Sequence, residues 1–243
     1  MASPHKLAPS LEAVDIYSTQ DSVVRAIKSA IFRGELKLGQ RVLEEDLAAA
    51  LHISRATVRE ALRRLEQVGL IQIKARRGIF VTRLTLLEIE RSCRLRSVLE
   101  GLAARYASER LTDKDWRAIS QYVSQMKAAS ESGELDTFLD LDRKFHELIW
   151  KLAHDSQLEH ILRFLSTPYF AFIAGISTFI FSDVRKVCRA HRDYVKALRI
   201  GDPDQVQRTV QAIHESLATA VLADIRRVQQ ERPGQFFDIV ESD

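Results

Sequence analysis

Asp142 and His146 lie four residues apart in the stretch LDLDRKFHELIW, so a carboxylate and an imidazole project from one face of a helix. His191 and His214 sit on two further helical stretches, on either side of the turn Gly201-Asp202-Pro203. His191 precedes Gly201 by ten residues and His214 follows it by thirteen. At ~1.5 Å per residue these are roughly 15 and 20 Å from the turn, so an antiparallel helix pair brings the two imidazoles to similar height. Three imidazoles and one carboxylate from three helices are the donor set of a mononuclear divalent-metal site with positions left for water or ligand. That set suits Zn, Ni or Mn better than Ca or Mg. The chain holds seven histidines, enough for chance groupings, and on spacing alone structural or surface imidazoles stay open as the alternative. His154 and His160 are read in that second way, and His5 and His52 have no partner in the pattern.

A second set of side chains suits a polyanion. Arg55 and Arg59 are one turn apart at the start of a helical stretch, Thr57 lies near them, and Arg63 continues the row. The N-terminal end of a recognition helix meets base edges, where Arg pairs bidentately with guanine O6 and N7. The Ser54 hydroxyl and the free N–H groups of the first turn can hold a phosphate. Arg76 and Arg77 fall at the tip of a short hairpin, and Gly78 lets a nucleic-acid backbone come close.

The elements that must position these groups follow from periodicity. Val23, Val24, Ile27, Ala30 and Ile31 predict a first helix with Asp21 as N-cap and Gly34 as its stop. A second helix is expected over Glu44 to Leu51, with Leu43, Leu47, Ala48 and Leu51 facing inward. After the turn His52-Ile53, Ser54 caps a third helix whose buried stripe is Val58, Ala61, Leu62, Leu65 and Val68, and Gly69 ends it. Two alternating runs, Leu70 to Lys74 and Gly78 to Thr82, form a two-stranded wing. Three helices and a wing make a winged helix-turn-helix. From Thr85 onward the chain reads as about six helices: Leu86 to Arg110, Leu111 to Ser130 (Thr112 as cap), Leu135 to His154, Gln157 to Ile180, Ser182 to Ile200 and Asp204 to Val228. The expected organisation is an N-terminal tail 1–17, a winged domain 18–83, an all-helical domain 84–230 and a tail 231–243.

Bulk properties agree. Of 243 residues, 46% are hydrophobic and 28% charged, an ordinary globular balance that excludes a disordered or fibrous chain. Two cysteines, Cys93 and Cys188, are too few for a disulfide framework or a Cys-based zinc motif, which points to a reduced, cytoplasmic setting. Met1 to Ser10 has no apolar run of signal-peptide length. Leu165 to Ser182 is uncharged and near the ~18 residues of a spanning helix, but Ser166, Thr167, Pro168, Gly175, Ser177 and Thr178 interrupt it. A helix buried on all sides of a helical domain reads the same way, and no membrane span is expected. The net +3 is uneven: Met1 to Arg83 carries 14 Lys+Arg against 9 Asp+Glu, a net +5, and the rest a net −2. The polyanion partner therefore belongs to the first part of the chain.

The run GELKLGQRVLEEDLAAALHISRATVREALRRLEQVGLIQIKARRGIFV, Gly34 to Val81, closely resembles the winged helix-turn-helix of the GntR family of bacterial transcription regulators. The resemblance places Arg41, Arg55 and Arg59 on the family's DNA-contacting arginines, Thr57 on a helix position often in contact, and Gly78 on a wing position. Thr57 stands where many members have Pro. The segments RLRSVLEGLAARYASERLT, DLDRKFHELIWKLAHDSQL and AHRDYVKALRIGDPDQVQRTVQAIHESL resemble the effector-binding FCD domain of the FadR-type branch, over about Leu84 to Val228. Many such domains hold a metal through an Asp-x3-His pair and two later histidines, and Asp142, His146, His191 and His214 match those positions one for one. Arg96 matches an arginine that faces the pocket and pairs with a carboxylate. AHDSQL departs from the Ser-Gly-Asn-like turn of many members.

The resemblance implies a homodimer reading a short inverted repeat of operator DNA, most often as a repressor, answering to a small carboxylate such as a sugar acid. An acyl-CoA-type effector without metal is the alternative within the branch. Three histidines with open positions also describe a catalytic zinc, but no acid–base residue is assigned beside them and an enzyme would leave the DNA-reading segment unexplained. A purely architectural DNA-binding protein would leave the large helical domain without a role.

Overall fold

A computed structural model describes residues 16–180 and 184–231. Helix α1 (Ile16–Phe32) precedes a short strand β1 (Arg41–Val42), α2 (Glu44–Leu51) and α3 (Arg55–Gln67). The wing follows as β2 (Ile71–Lys74) and β3 (Gly78–Val81). Val58, Ala61, Leu62 and Leu65, the inner stripe of α3, are fully buried against Val23, Ile27 and Ile31 of α1. Ser54 caps α3 by accepting the Thr57 N–H at 3.1 Å, as its position before the apolar stripe predicts.

Three expectations are corrected here. Asp21 is not an N-cap: α1 begins at Ile16, so the boundary expected at residue 18 falls inside the helix. Asp21 instead reaches across to Arg64 of α3 at 2.6 Å, a tertiary ion pair in place of a local cap. Leu43 does not face inward; it is the extended residue before α2, 40% exposed. The wing has a third strand, since β1 adds to the free edge of β3 with Arg41 opposite Phe80, giving the order β1-β3-β2. The free backbone edge of β3 recruits these two residues; side-chain alternation does not mark them.

The helical part comprises, among the described residues, α4 (Leu86–Ser108), α5 (Asp113–Ser132), α6 (Leu135–Leu152), α7 (Ser156–Ile180), α8 (Arg185–Ala197) and α9 (Pro203–Glu231). Capping boxes start α4 (Thr85 with Glu88) and α5 (Thr112 with Asp115). The start expected for α8 at Ser182, and the tails 1–15 and 232–243, lie outside the described residues. Helices α4 and α9 run closely together because Gly101 has no side chain: a Cβ there would sit 2.8 Å from the carbonyl oxygen of Gln207. The uncharged stretch of α7 is the centre of a core, with Phe170, Phe172, Ile173 and Ile176 buried. No described helix is long and apolar enough to cross a membrane.

The two parts are packed together. Ala171 of α7 is buried in the core of the winged domain, and Arg143 of α6 lies over the ring of Phe32 at 5.5 Å. Glu147 of α6 receives Arg143 at 2.7 Å, Arg163 of α7 at 3.3 Å and, across the boundary, Lys28 of α1 at 3.7 Å. Burial pushes the Glu147 carboxyl up, but these three cations outweigh it and keep it ionised.

Candidate DNA-reading face and candidate metal centre

Helix α3 presents Arg55, Arg59 and Arg63 outward on the surface opposite its buried stripe. Thr57 is half-buried, its Oγ1 2.8 Å from the Ser54 hydroxyl. With the Thr57 N–H capped by Ser54, the N–H groups of Arg55 and Ala56 remain at the positive end of the helix. Arg76 takes a left-handed conformation (φ 61°) at the wing tip and is exposed, as is Arg77. Gly78 has φ +108°, and a Cβ there would come within 3.0 Å of Arg41 Nε. Glycine at this position therefore lets the Arg41 guanidinium lie close against the start of β3. The sequence-marked residues Arg41, Ser54, Arg55, Thr57, Arg59, Arg76, Arg77 and Gly78 thus fall on the winged domain's third helix and wing. Glu44 was not foreseen: it accepts Arg59 Nε at 2.8 Å and Arg59 Nη2 at 2.7 Å.

The second constellation lies inside the helical part. Helix α6 supplies Asp142 and His146, α8 supplies His191, and α9 supplies His214, all buried. The rings of His191 and His214 each lie 5.3 Å from that of His146. Ligand atoms of Asp142, His146 and His191 lie within 4.8 Å of one another, as do those of Glu100, His146 and His214.

Tautomers follow from the acceptors around the rings. His191 Nδ1 is 2.9 Å from the Val187 carbonyl, which only accepts, so Nδ1 carries a proton and Nε2 is the ring atom turned inward. His146 Nδ1 faces the Glu100 carboxylate at 3.3 Å, which fixes its ring in the same sense. His191 Nε2 approaches Asp142 Oδ1 to 2.8 Å, and against the burial that lowers it this carboxylate draws the His191 pKa up; both atoms are buried and neither makes a well-directed hydrogen bond. His214 Nε2 is a third buried atom of this kind. Burial holds the His214 pKa down to about 3, so its ring is neutral and its lone pair available. Burial opposes charge on Asp142, but His191 and His146 outweigh it and keep the carboxylate ionised. A carboxylate and imidazole nitrogens converging in a buried site without well-directed hydrogen bonds are a donor set that fits a divalent cation, whose binding would displace the proton His191 shares with Asp142.

Glu100 is the residue that periodicity hid. It is completely buried, and its Oε2 accepts Trp150 Nε1–H at 2.9 Å as well as facing His146. Burial pushes its carboxyl up, while His146, His214 and Arg96 pull it well below the usual range. Its spacing of four from Arg96 was the available signal: Arg96 Nη2 lies 3.4 Å from Glu100 Oε1. Arg96 itself is buried, stacked 4.3 Å above the Tyr169 ring and 4.8 Å from that of Phe170, and its Nε has no hydrogen-bond partner. Arg96, Asp142, His146, His191 and His214 line one cavity of about 70 Å³.

The comparisons agree with this architecture. Residues 19–81 match the model of "Bacterial regulatory proteins, gntR family", and residues 91–216 match the FCD domain. The HTH-type transcriptional repressor RspR of Escherichia coli is 27% identical over 219 residues, covering 88% of this chain and 92% of that one. A probable D-xylose utilization operon repressor of Paenarthrobacter nicotinovorans is 29% identical, covering 74% of this chain and 78% of that one. The regulator YdhC of Bacillus subtilis is 31% identical over 137 residues, 56% of this chain and 61% of that protein's length. Among solved structures, E. coli McbR/YncC superposes with a TM-score of 0.73 at 22% identity, over 88% of this chain and 99% of that one.

A winged helix-turn-helix joined to a helical FCD domain defines a DNA-binding transcription regulator. The chain belongs to the GntR family, with an FCD domain at its C-terminal side.

Proposed function

We propose that this regulator binds a divalent metal (Zn, Ni or Mn) in the α6–α8–α9 cluster and a small carboxylate, such as a sugar acid, between that metal and Arg96. The supporting observation is the set of buried atoms without hydrogen-bond partners, Asp142 Oδ1, His191 Nε2, His214 Nε2 and Arg96 Nε, all around one cavity. Asp142, His146, His191 and His214 would hold the metal, which supplies a Lewis-acidic anchor for an effector oxygen. Arg96, pinned by two aromatic faces and Glu100, meets the other end of a carboxylate. At about 70 Å³ the cavity suits a short acid. The carboxylate and three imidazoles around the cavity favour this reading over the acyl-CoA alternative. Plasma mass spectrometry of the purified protein should find near-stoichiometric metal in wild type and its loss in His146→Ala and His191→Ala. No metal in wild type after reconstitution would refute the centre.

Helix α6 carries the response to DNA. Asp142 and His146 face the cavity, while the next residues along, Arg143 and Glu147, grip Phe32 and Lys28 of the winged domain. An effector that binds one placement of α6 more tightly than another shifts the winged domains by that difference alone. The names of RspR and the D-xylose operon regulator favour repression. For dimerisation, α4 leaves Leu87, Leu95 and Val98 exposed at 45, 56 and 46%, one apolar stripe beside the groove with Leu222 of α9. A second copy covers that stripe and sets two winged domains on an inverted repeat. The double variant Leu95→Glu/Val98→Glu should sediment at half the wild-type mass; an unchanged mass would place the interface elsewhere.

A further inference from the structure

The carboxylate of Glu44 lies among the arginines that face DNA, where a negative charge should hinder binding. It is the first residue of α2, its side chain only 16% exposed, and the positive end of that helix favours its charge. Its grip on Arg59 is side-on: Nε and Nη2 each donate one hydrogen to its two oxygens. A guanidinium has five N–H donors, so the two hydrogens of Nη1 and the second of Nη2 are not used by Glu44. The second hydrogen of Nη2 and the Nη1 hydrogen beside it form the end-on fork of the group, the edge that matches guanine O6 and N7. Arg55 lies farther off, with its guanidinium 3.9 Å from both Glu44 and Glu45, and is 62% exposed.

A long arginine left to itself visits many rotamers, and most of those reach phosphates, which run along every sequence. The fork made by Glu44 removes that freedom. It occupies the edge that would otherwise reach for phosphate and points the other edge outward from α3. We propose that Glu44 is a positioning residue for sequence discrimination: by clamping Arg59 side-on, it reserves the end-on edge for a base and lowers the protein's affinity for arbitrary DNA. The inference rests on the reading that α3 enters the major groove with Arg59 on its DNA side.

The test compares the full-length wild type, Glu44→Gln and Glu44→Ala on two duplexes. One is selected by the wild type from a randomised library; the other has the same composition with scrambled order. Fluorescence anisotropy across a salt series gives affinity and salt slope. With Glu44 neutralised, the scrambled duplex should bind several-fold tighter, with a salt slope steeper by about one phosphate contact. The selected-to-scrambled ratio should fall by about 5- to 100-fold, the worth of one bidentate base contact. In an Arg59→Ala background, Glu44→Gln should change that ratio no further. Parallel weakening on both duplexes with an unchanged slope would mean that Glu44 only supports the fold, and the proposal fails. An unchanged ratio overturns it equally. If instead Arg59→Ala alone leaves both duplexes bound as before, the reading of α3 fails, a result separate from a Glu44 failure in which Arg59→Ala keeps its effect.

Discussion

Arg55→Ala combined with Arg59→Ala should weaken binding to a selected operator duplex by about 30- to 20,000-fold, from roughly 1–3 kcal/mol for each arginine. Both side chains emerge from the first two turns of α3, on a surface whose other side is fixed by fully buried Val58, Leu62 and Leu65. The helix should therefore stay folded when the arginines are shortened, which circular dichroism can verify. The two sites are not equivalent. Shortening Arg59 leaves Glu44 charged without its bidentate partner on the DNA side, so Arg59→Ala should cost more than Arg55→Ala, whose contacts to Glu44 and Glu45 are 3.9 Å long. Binding to scrambled DNA should fall much less, because the remaining basic residues still meet phosphate. Equal losses on both duplexes would show that these arginines position the protein on the phosphates and do not read bases.

Chelation should lower the thermal midpoint of the wild type by about 5–15 °C. A ligand at 100 to 1,000 times its dissociation constant adds roughly 2.7–4.1 kcal/mol, and a chain of this size shifts by about 2–4 °C per kcal/mol. The loss leaves Asp142 Oδ1, His191 Nε2 and His214 Nε2 buried with no partner. His146→Ala and His191→Ala should melt at the same temperature with and without dipicolinate. Zn, Ni or Mn restored to the chelated wild type should recover the midpoint. A wild-type midpoint indifferent to chelator and to all three metals would rule out a metal that stabilises the native state.

Much of this architecture was legible because it is local. The limits of α2 follow from one acidic turn and one apolar face, the Ser54 cap from a single hydroxyl before a stripe, and the wing from two alternating runs around Ala75-Arg76-Arg77. The histidine cluster was legible because helical rise converts sequence distance into height, and Gly201 fixes the origin of that count. What stayed hidden depends on residues far apart in the chain. Strand β1 exists only because β3 offers an edge, and nothing in two residues announces it. Asp21 resembles a cap until Arg64, on another helix, is brought to it. Glu100 sits in an Ala/Leu-rich run as a buried acid whose partners His146 and Trp150 are 46 and 50 residues away. The unfamiliar turn AHDSQL is accommodated by His154 in a left-handed conformation (φ 52°), with Asp155 accepting the N–H groups of Gln157 and Leu158. Its local geometry needs no glycine.

The burial of Ala171 among the side chains of the winged domain bears on how such regulators can be recombined. A biosensor made by cutting the chain near residue 83 and grafting on a foreign helical domain would remove part of the winged domain's own interior. The graft would open a hole in that interior unless the incoming helix offered a small apolar residue at the same height. The transplantable module is therefore the winged domain plus the face of α7 that plugs it, and its boundary runs through three dimensions and not at one peptide bond.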